Sequence, residues 1–198
     1  MKTTICIIFS FIVLSFIANA IAEDYFPKGT FNDFRTSWYS NQYTALDEHS
    51  LFMEKNKSTN QIYRFTWLRT FHHPISIRLE IKNDEIGTLF IKMANGAGGY
   101  DPGELVTNES RQLSKSEITG FSNLINKASF WKIPTETPPD PNGKLSICID
   151  GAQWILEGLS KGNYHIVDRC SPKDGATREL CFYLLKLSGL KIKNEEIY

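Results

Sequence analysis

The sequence has no excess of charge of either sign. Lysine and arginine together number 22, aspartate and glutamate also number 22, and the basic residues are spread along all 198 positions. Proteins that bind nucleic acid concentrate positive charge on one surface, because they must neutralise the phosphate backbone. We therefore expect no nucleic-acid partner.

Long hydrophobic runs are also absent, apart from one near the N-terminus. Residues 5–17 are mainly apolar, Lys2 precedes them, and two small-x-small sites follow within 18–22. This pattern is typical of a secretory signal peptide, and the run is shorter than the roughly 20 apolar residues that span a bilayer. We predict a signal peptide at residues 1–22, a single domain at 23–198, a periplasmic or secreted location and no stable membrane anchor.

Cysteine is scarce, and three cysteines remain beyond the predicted signal peptide. An odd number leaves one thiol over when two of them pair in an oxidising compartment. Cys170 ends a predicted strand and Cys181 follows a short connection into a predicted helix, so a helix that folds back over its strand would bring them within disulfide reach. We predict a Cys170–Cys181 disulfide. The alternative is three buried thiols, Cys148 included.

The spacings typical of metal and cofactor sites are missing. No two cysteines form a C-x₂-C pair, and no two of the four histidines lie four residues apart. The glycine-rich segment 95–103 lacks the Lys-Ser or Lys-Thr ending of a P-loop. We expect no metal and no cofactor. Gly98, Gly99 and Tyr100 remain candidates for ligand binding through backbone amides, and a wide surface loop is the simpler interpretation.

Helices and strands can be located from capping signals and hydrophobic periodicity. Ser114 and Glu117 form a capping box that predicts a helix at 115–129, and Thr30 predicts the cap of a helix at about 31–48 whose apolar stripe includes Phe34. Alternating apolar residues and turn signals predict the other elements. These are strands containing 63–67, 75–81, 89–93, 145–149, 152–156 and 164–169, and a last helix that ends at Gly189.

The dipeptide Asp150-Gly151 is a strong hairpin signal between two of these strands. A two-residue turn at this point would pair 145–149 with 152–156 and would place Lys144 opposite Glu157. The predicted order is therefore α-βββ-α-βββ-α. Each meander needs a helix over its apolar face, which predicts an α+β, two-layer sandwich of antiparallel meander sheets and helices.

The segment 158–162 matches the G-x-S-x-G pattern of a nucleophile elbow. An elbow needs a helix after it, and an acid and then a histidine later in the chain. A predicted strand follows instead, and no acid lies between Ser160 and His165. We interpret the segment as a polar hairpin loop.

One compact polar cluster follows from the predicted register. Glu157, His165 and Arg169 would share a sheet face if Tyr164 and Ile166 point to the core. Such a group could perform general acid–base chemistry, and these three residues are the weak catalytic candidates. The simpler interpretation is a solvated sheet face.

The polar face of the first meander offers a second candidate surface. Arg64 and Arg78 alternate with the apolar residues of their strands, so they would project from the solvent side of the sheet. Arginine forks at such positions can hold an acidic partner, although they also keep a sheet face soluble.

Several segments carry a resemblance to a group of bacterial proteins. They are Phe130-Trp131-Lys132-Ile133-Pro134, Asp150-Gly151-Ala152-Gln153-Trp154-Ile155-Leu156-Glu157 and Tyr164-His165-Ile166-Val167-Asp168-Arg169, with Tyr63-Arg64-Phe65 and His73-Pro74-Ile75 upstream. Together they resemble a C-terminal pattern of uncharacterised bacterial exported proteins. The resemblance implies a bacterial source and a periplasmic or secreted setting, and it carries over no catalytic residue.

These observations favour an exported, non-catalytic domain that binds a protein or a cell-envelope ligand. The alternative is an envelope-acting hydrolase whose site is assembled from Glu157, His165 and Arg169. An immunity or inhibitor protein would be a special case of the first interpretation.

Overall fold

A computed structural model describes residues 24–83, 85–139, 142–143 and 148–198. The predicted α+β class is confirmed. Helices and one six-stranded antiparallel sheet make up these residues, and the strand order across the sheet is β4-β3-β2-β1-β5-β6. The strands are β1 Gln61–Arg69, β2 Ile75–Lys82, β3 Ile86–Ala94, β4 Leu105–Leu113, β5 Ala152–Ser160 and β6 Asn163–Cys170. The α-helices are α1 Asp33–Ala45, α2 Leu51–Glu54, α3 Lys115–Lys127 and α4 Ala176–Ser188, and two 3₁₀-helices lie at Phe130–Lys132 and Asn194–Glu196.

The first face of the sheet carries the main apolar core. Every second residue of the strands points to this face, as the alternating sequence pattern predicts. Helices α3 and α4 cover it, and an aromatic pair, Tyr63 and Phe121, links the sheet to α3. The strand residues of this core are Tyr63, Phe65, Trp67, Ile75, Ile77, Leu79, Ile81, Leu89, Ile91, Ala152, Trp154, Leu156 and Val167.

The second face of the sheet is also covered, so the predicted two-layer arrangement was wrong. Helix α1 and the segment before it pack on this face through aromatic residues. Almost all of β1 is buried, which requires neighbours on both sides of the sheet. The second apolar cluster contains Tyr25, Phe26, Phe31, Tyr39, Tyr43, Leu68, Ile155 and Ile166.

The predicted hairpin at Asp150-Gly151 was wrong. Strand β5 pairs with β1 on one edge and with β6 on the other, so neither edge is left for residues 145–149. Of that segment, 145–147 lie outside the described residues, and Ile149 lies outside any strand with 75% of its surface exposed. A pairing of eight residues with β1 replaces one of five residues. The sheet therefore has four strands before α3 and two after it.

Predictions based on local capping and turn signals are mostly confirmed, whereas the predicted hairpin pairing was wrong. The capping box of α3 is confirmed, since the Ser114 side chain accepts from the Glu117 amide and the Glu117 side chain accepts from the Ser114 amide. Gly189 ends α4 in the left-handed region, as predicted. Lys161 and Gly162 form a two-residue turn with positive φ at both positions, which confirms the hairpin interpretation of 158–162. Helix α1 begins later than predicted, because Asn32 and not Thr30 caps it.

The predicted Cys170–Cys181 disulfide was wrong. Cys148 pairs with Cys170 across a Cα–Cα distance of 5.7 Å, and Cys181 is a buried free thiol. Cys170 lies two residues after Asp168 on β6 and shares its side of the sheet, whereas Cys181 belongs to the first-face core. The sheet therefore separates the two cysteines that the sequence suggested as a pair.

Among the described residues, no helix has both the length and the apolar character needed to cross a membrane.

Candidate functional site

The three catalytic candidates do not form one cluster. Glu157 lies opposite Arg64 and Ile166 in the sheet and points to the second face. His165 and Arg169 point to the first face, where they hold the segment that follows the 3₁₀-helix at Phe130–Lys132. The His165 ring lies 2.9 Å from the carbonyl oxygen of Ile133, and Arg169 donates to the carbonyl oxygens of Pro134 and Thr135 at 2.8 and 2.9 Å.

Glu157 is fully buried, and both of its carboxylate oxygens accept hydrogen bonds. Its carboxylate accepts from Tyr43 at 2.7 Å, from Tyr164 at 2.8 Å and from Arg64 at 2.7 Å. Burial raises the pKa of both tyrosines, and the Glu157 charge raises it further. Because no part of Glu157 reaches solvent, this carboxylate is a structural anchor between α1 and the sheet.

Arg64 and Arg78 are also buried, so they do not form the predicted solvent-facing surface. Both donate to the carboxylate of Glu48, which follows α1, at 3.2 and 2.9 Å. Burial acts to raise the pKa of Glu48, but Arg64, Arg78 and Lys92 outweigh it and lower that pKa. The two arginines are neutralised from within the molecule, by Glu48 of the segment that covers the second face and by Glu157 and Glu80 of the sheet.

The glycine-rich loop packs against the sheet and α1. The amides of Gly98 and Gly99 donate to the carbonyl oxygens of His72 and Thr70, at 3.0 and 3.3 Å, so they are not directed at a ligand. A side chain at Gly98 would lie 2.7 Å from the backbone of Leu68, which explains the need for glycine here. Tyr100 has an exposed side chain, and its carbonyl oxygen accepts from Gln42 of α1.

A cleft lies where α1 crosses the end of β6. We call it the α1–β6 cleft, and its volume is about 310 Å³. Polar, charged and aromatic side chains meet there, together with the disulfide. The lining residues are Phe34, Arg35, Trp38, Glu136, Thr137, Cys148, Gln153, Asp168 and Cys170.

Asp168 is the floor of this cleft. Only 4% of its surface is exposed, and its Oδ2 accepts from the Tyr39 hydroxyl at 2.7 Å and from Arg35 at 3.3 Å. Its Oδ1 is buried and has no hydrogen-bond partner among the residues that the structure describes. A buried oxygen of this kind costs free energy until a donor reaches it, on the order of 1–3 kcal/mol.

The pKa of one carboxyl group in the cleft, that of Asp168, lies close to neutral pH. Burial raises the pKa of Asp168 to about 6, although Tyr39 and Arg35 act to lower it and Glu136 acts to raise it. Arg35 forms ion pairs with both Glu136 and Asp168. Two carboxylates therefore face one guanidinium, so the cleft carries a net negative charge when Asp168 is ionised.

One wall of the cleft is aromatic. Phe34 and Trp38 lie one turn apart on α1 with their ring centroids 6.2 Å apart, and Phe34 is 75% exposed. The Trp38 indole donates to the carbonyl oxygen of Gly98 at 2.9 Å, which fixes its ring against the glycine-rich loop. The sequence prediction placed Phe34 in the core stripe of α1, and the structure places it at the mouth of the cleft.

The comparisons with known proteins add no further evidence. No protein-family model and no curated protein sequence matches the chain significantly.

Within the described part of the chain, no three His, Cys, Asp or Glu side chains converge in the manner of a metal site. The charged and aromatic groups that line the α1–β6 cleft are two carboxylates, one guanidinium and two aromatic rings.

Sequence reasoning did not single out Asp168. One signal could have found it, because Tyr164, Ile166, Asp168 and Cys170 occupy alternate positions of β6 and share a face. An acid in such an apolar row needs a partner or a ligand. Its partners Arg35 and Tyr39 lie more than 120 residues earlier, and no local pattern connects them to it.

Proposed function

We propose that this protein is an exported, non-catalytic domain that binds a protein or a cell-envelope ligand, and that the α1–β6 cleft receives a cationic group of that ligand. The single observation that supports the proposal is the buried Oδ1 of Asp168, which has no hydrogen-bond partner within the described part of the chain and lies in a cleft with an aromatic wall.

The chemistry of the cleft favours a cation over other groups. Oδ1 of an ionised Asp168 can only accept a hydrogen bond, so the ligand must donate one. The faces of Phe34 and Trp38 attract positive charge, which adds about 0.5–2 kcal/mol when the ring and cation are desolvated. An ammonium or a guanidinium group satisfies both demands, and an anion would face two carboxylates.

Export rests on separate support. Residues 1–22, which lie outside the described residues, have the pattern of a signal peptide. The Cys148–Cys170 disulfide favours an oxidising compartment, such as the periplasm or the extracellular space. The resemblance to bacterial exported proteins agrees with both.

A titration with small probes tests the cleft. Blocked tripeptides Gly-Arg-Gly and Gly-Lys-Gly are added to the protein while amide NMR signals of residues 34–38 are followed, and Gly-citrulline-Gly serves as the uncharged analogue. We expect saturable shifts with arginine or lysine, much weaker shifts with citrulline, and loss of binding in Asp168→Asn. Asn41→Ala, an exposed change elsewhere on α1, should leave binding intact. Equal binding of citrulline, or full binding by Asp168→Asn, would contradict the proposal.

The source of the ligand is found by capture. Immobilised wild-type protein and Asp168→Asn are exposed in parallel to periplasmic and envelope extracts. A ligand retained by the wild type and lost from the variant identifies a protein or an envelope component. Equal retention by both would show that capture does not use this cleft.

A second candidate function is an envelope-acting hydrolase. The observation that favours it is the pKa of Asp168, about 6, because a carboxyl group with such a pKa can donate a proton to a leaving group near neutral pH. Glu136, tied to it through Arg35, would be the second carboxylate. This pair replaces the separated residues Glu157, His165 and Arg169.

Turnover separates the two candidates. Purified peptidoglycan is incubated with the wild type, Asp168→Asn and Glu136→Gln, and the loss of turbidity and the release of soluble fragments are measured from pH 4 to 8. Hydrolysis that both substitutions abolish would establish the enzyme. Absence of turnover, together with binding of the cationic probes, would establish the binding domain.

A further inference from the structure

A second cleft lies on the other side of the sheet. It runs between α3, the 3₁₀-helix at Phe130–Lys132 and the β5–β6 turn, and we call it the α3 groove. Its volume is about 570 Å³, and it shares no lining residue with the α1–β6 cleft. The lining residues are Gln61, Tyr63, Ile81, Ile118, Thr119, Ser122, Ile125, Asn126, Trp131, Ser160, Lys161 and Asn163.

The groove combines apolar side chains with polar groups that are almost all uncharged. Tyr63, Ile81 and Ile125 are buried members of the first-face core. The polar groups are the hydroxyls and amides of Gln61, Thr119, Ser122, Asn126, Ser160 and Asn163, and Lys161 carries the only charge in the lining. Apolar surface with a few directional polar groups is the usual composition of a small-molecule site.

Trp131 is the distinctive member of this lining. Its side chain is large and apolar, yet 37% of the residue is exposed. Its ring is held by three others, with centroids 5.2 Å away for Phe130, 6.2 Å for His165 and 6.3 Å for Tyr63. An indole that is rigid and partly exposed presents a flat surface at low entropic cost to a ligand.

The backbone around Trp131 is adapted to this position. Gly158 of β5 lies beneath the rings, and a Cβ there would come within 2.5 Å of Phe130 and 3.3 Å of Trp131. Ser129, which precedes the 3₁₀-helix, adopts a left-handed conformation with φ of 50°, which is unfavourable for a residue with a side chain. Backbone strain of this kind is found more often at ligand sites than elsewhere.

We propose that the α3 groove binds a neutral, polyhydroxylated ligand, that is, a sugar unit, with its ring stacked on Trp131. The apolar face of a pyranose packs on a flat aromatic ring, and its hydroxyl groups both donate and accept hydrogen bonds. Amide and hydroxyl side chains do the same, so Asn126, Ser122 and Asn163 are suited to read the hydroxyl pattern.

The charge of the lining argues against the other ligand classes. Among the residues that the structure describes, no carboxylate lines the groove, so an amine would find no counter-charge there. Lys161 alone does not form the cationic clusters typical of phosphate and other polyanion sites. This inference does not depend on the proposed function of the α1–β6 cleft.

A titration monitored at the tryptophan indoles tests the inference. The probes are N-acetylglucosamine trimer and glucose trimer, with triglycine as a control that is not a sugar. The protein has four tryptophans, of which Trp67 and Trp154 are buried and Trp38 lines the other cleft. We expect a saturable shift of the Trp131 indole signal with at least one trimer, and the trimer that binds shows whether N-acetyl groups are required.

Matched variants locate the site. Asn126→Ala removes a lining amide and should weaken sugar binding about threefold or more. Asn123→Ala changes an exposed asparagine one turn earlier on α3 that does not line the groove, and it should have no effect. Trp131→Ala should abolish binding and Trp131→Phe should retain part of it, with circular dichroism showing that each variant is folded.

The inference is overturned if neither trimer shifts the Trp131 signal at about 10 mM, which is about ten times a dissociation constant of about 1 mM. It is also overturned if triglycine shifts that signal equally, or if Asn126→Ala and Asn123→Ala bind sugar alike.

Discussion

Arg64 and Glu157 show how a charged pair can occupy the middle of the second face. Each is fully buried, and each has partners beyond the other, namely Glu48 for the arginine and two tyrosines for the glutamate. Removing two ions from water costs several kcal/mol per ion, which only close and multiple contacts offset. Loss of Glu157 therefore leaves the buried Arg64 with Glu48 as its remaining counter-charge, and the cost of burying the arginine is no longer fully offset.

We expect Glu157→Gln to lower the free energy of unfolding by about 3 kcal/mol, because Arg64 would lose its nearest counter-charge. Urea unfolding measures the change. Glu109→Gln, an exposed change on β4, should stay within about 0.5 kcal/mol of the wild type. A similar small effect for Glu157→Gln would show that the pair contributes little.

Asp168 presents the opposite case, a buried acid whose charged form the fold disfavours. Its pKa rises from 3.8 in the unfolded chain to about 6 in the fold, which corresponds to about 3 kcal/mol. The folded state then binds more protons than the unfolded state between these two values. Stability attributable to Asp168 is therefore full below pH 4 and is lost as the pH rises through 6.

We expect Asp168→Asn to remove this pH dependence. The difference in unfolding free energy between wild type and variant should change by about 2–3 kcal/mol between pH 4 and pH 7.5, with the wild type losing stability relative to the variant as the pH rises. Arg35 and Tyr39 of α1 and Glu136 are the charged or titratable groups that face Asp168, and they are unchanged in the variant. A pH-independent difference would show that Asp168 titrates normally.

The same titration governs the cation binding proposed for the α1–β6 cleft. Only the ionised carboxylate attracts an ammonium or guanidinium group, so affinity should be about tenfold lower at pH 5 than at pH 7.5. Tripeptide titrations at the two pH values measure this ratio. Equal affinities would mean that the probe does not contact Asp168.

At the scale of elements, helix α3 shows what local chemistry determines. Its capping box joins Ser114 and Glu117, and Arg111 of β4 donates to the same glutamate at 2.8 Å. These contacts lower the pKa of Glu117 to about 2, with the Arg111 hydrogen bond as the largest cause. The helix start is therefore tied to the neighbouring strand as well as to itself.

We expect Ser114→Ala to lower the free energy of unfolding by about 1 kcal/mol, the usual cost of an N-cap side chain. Thermal or urea unfolding measures the loss. Ser110→Ala on the exposed edge strand β4 is the matched control and should be nearly neutral. If the two substitutions lower the free energy of unfolding equally, the Ser114 cap does not stabilise the protein.

Sequence patterns located most helices and strands. They failed to predict the strand pairings and side-chain contacts that depend on residues far away in the sequence. The period-two rows of β1, β2 and β3 required only local alternation, and the sheet contains all three. The Asp150-Gly151 signal was overridden because β5 pairs over eight residues with β1, a strand far earlier in the chain, whereas the predicted hairpin would pair only five. The α1–β6 cleft could not be predicted from the sequence for the same reason, because Arg35 and Asp168 come into contact only in the folded chain.

At the scale of the whole molecule, one sheet lies between two helical layers, and a disulfide ties its edge. Cys148 and Cys170 are 22 residues apart in sequence and link the chain before β5 to the end of β6. The bond restricts the unfolded chain, and it also forms a wall of the α1–β6 cleft.

We expect Cys148→Ser to lower the free energy of unfolding by about 3 kcal/mol, the value typical of a loop of this length. Unfolding with and without a reductant provides the control, because the wild type should lose a similar amount on reduction and the variant should lose nothing further. A wild type that is indifferent to reductant, or a disulfide that includes Cys181 in peptide mapping, would contradict this expectation.

The position of β1 at the centre of the sheet has a consequence for biogenesis. Its two neighbours in the sheet are β2, the next strand in the sequence, and β5, the fifth of the six strands to be synthesised. Helix α1 is the first of the described helices and strands to be synthesised, yet its anchors Glu157 and Asp168 are among the later residues. Pairings between such distant segments form slowly. The central strand of the sheet can therefore gain its second neighbour only after most of the chain has been synthesised.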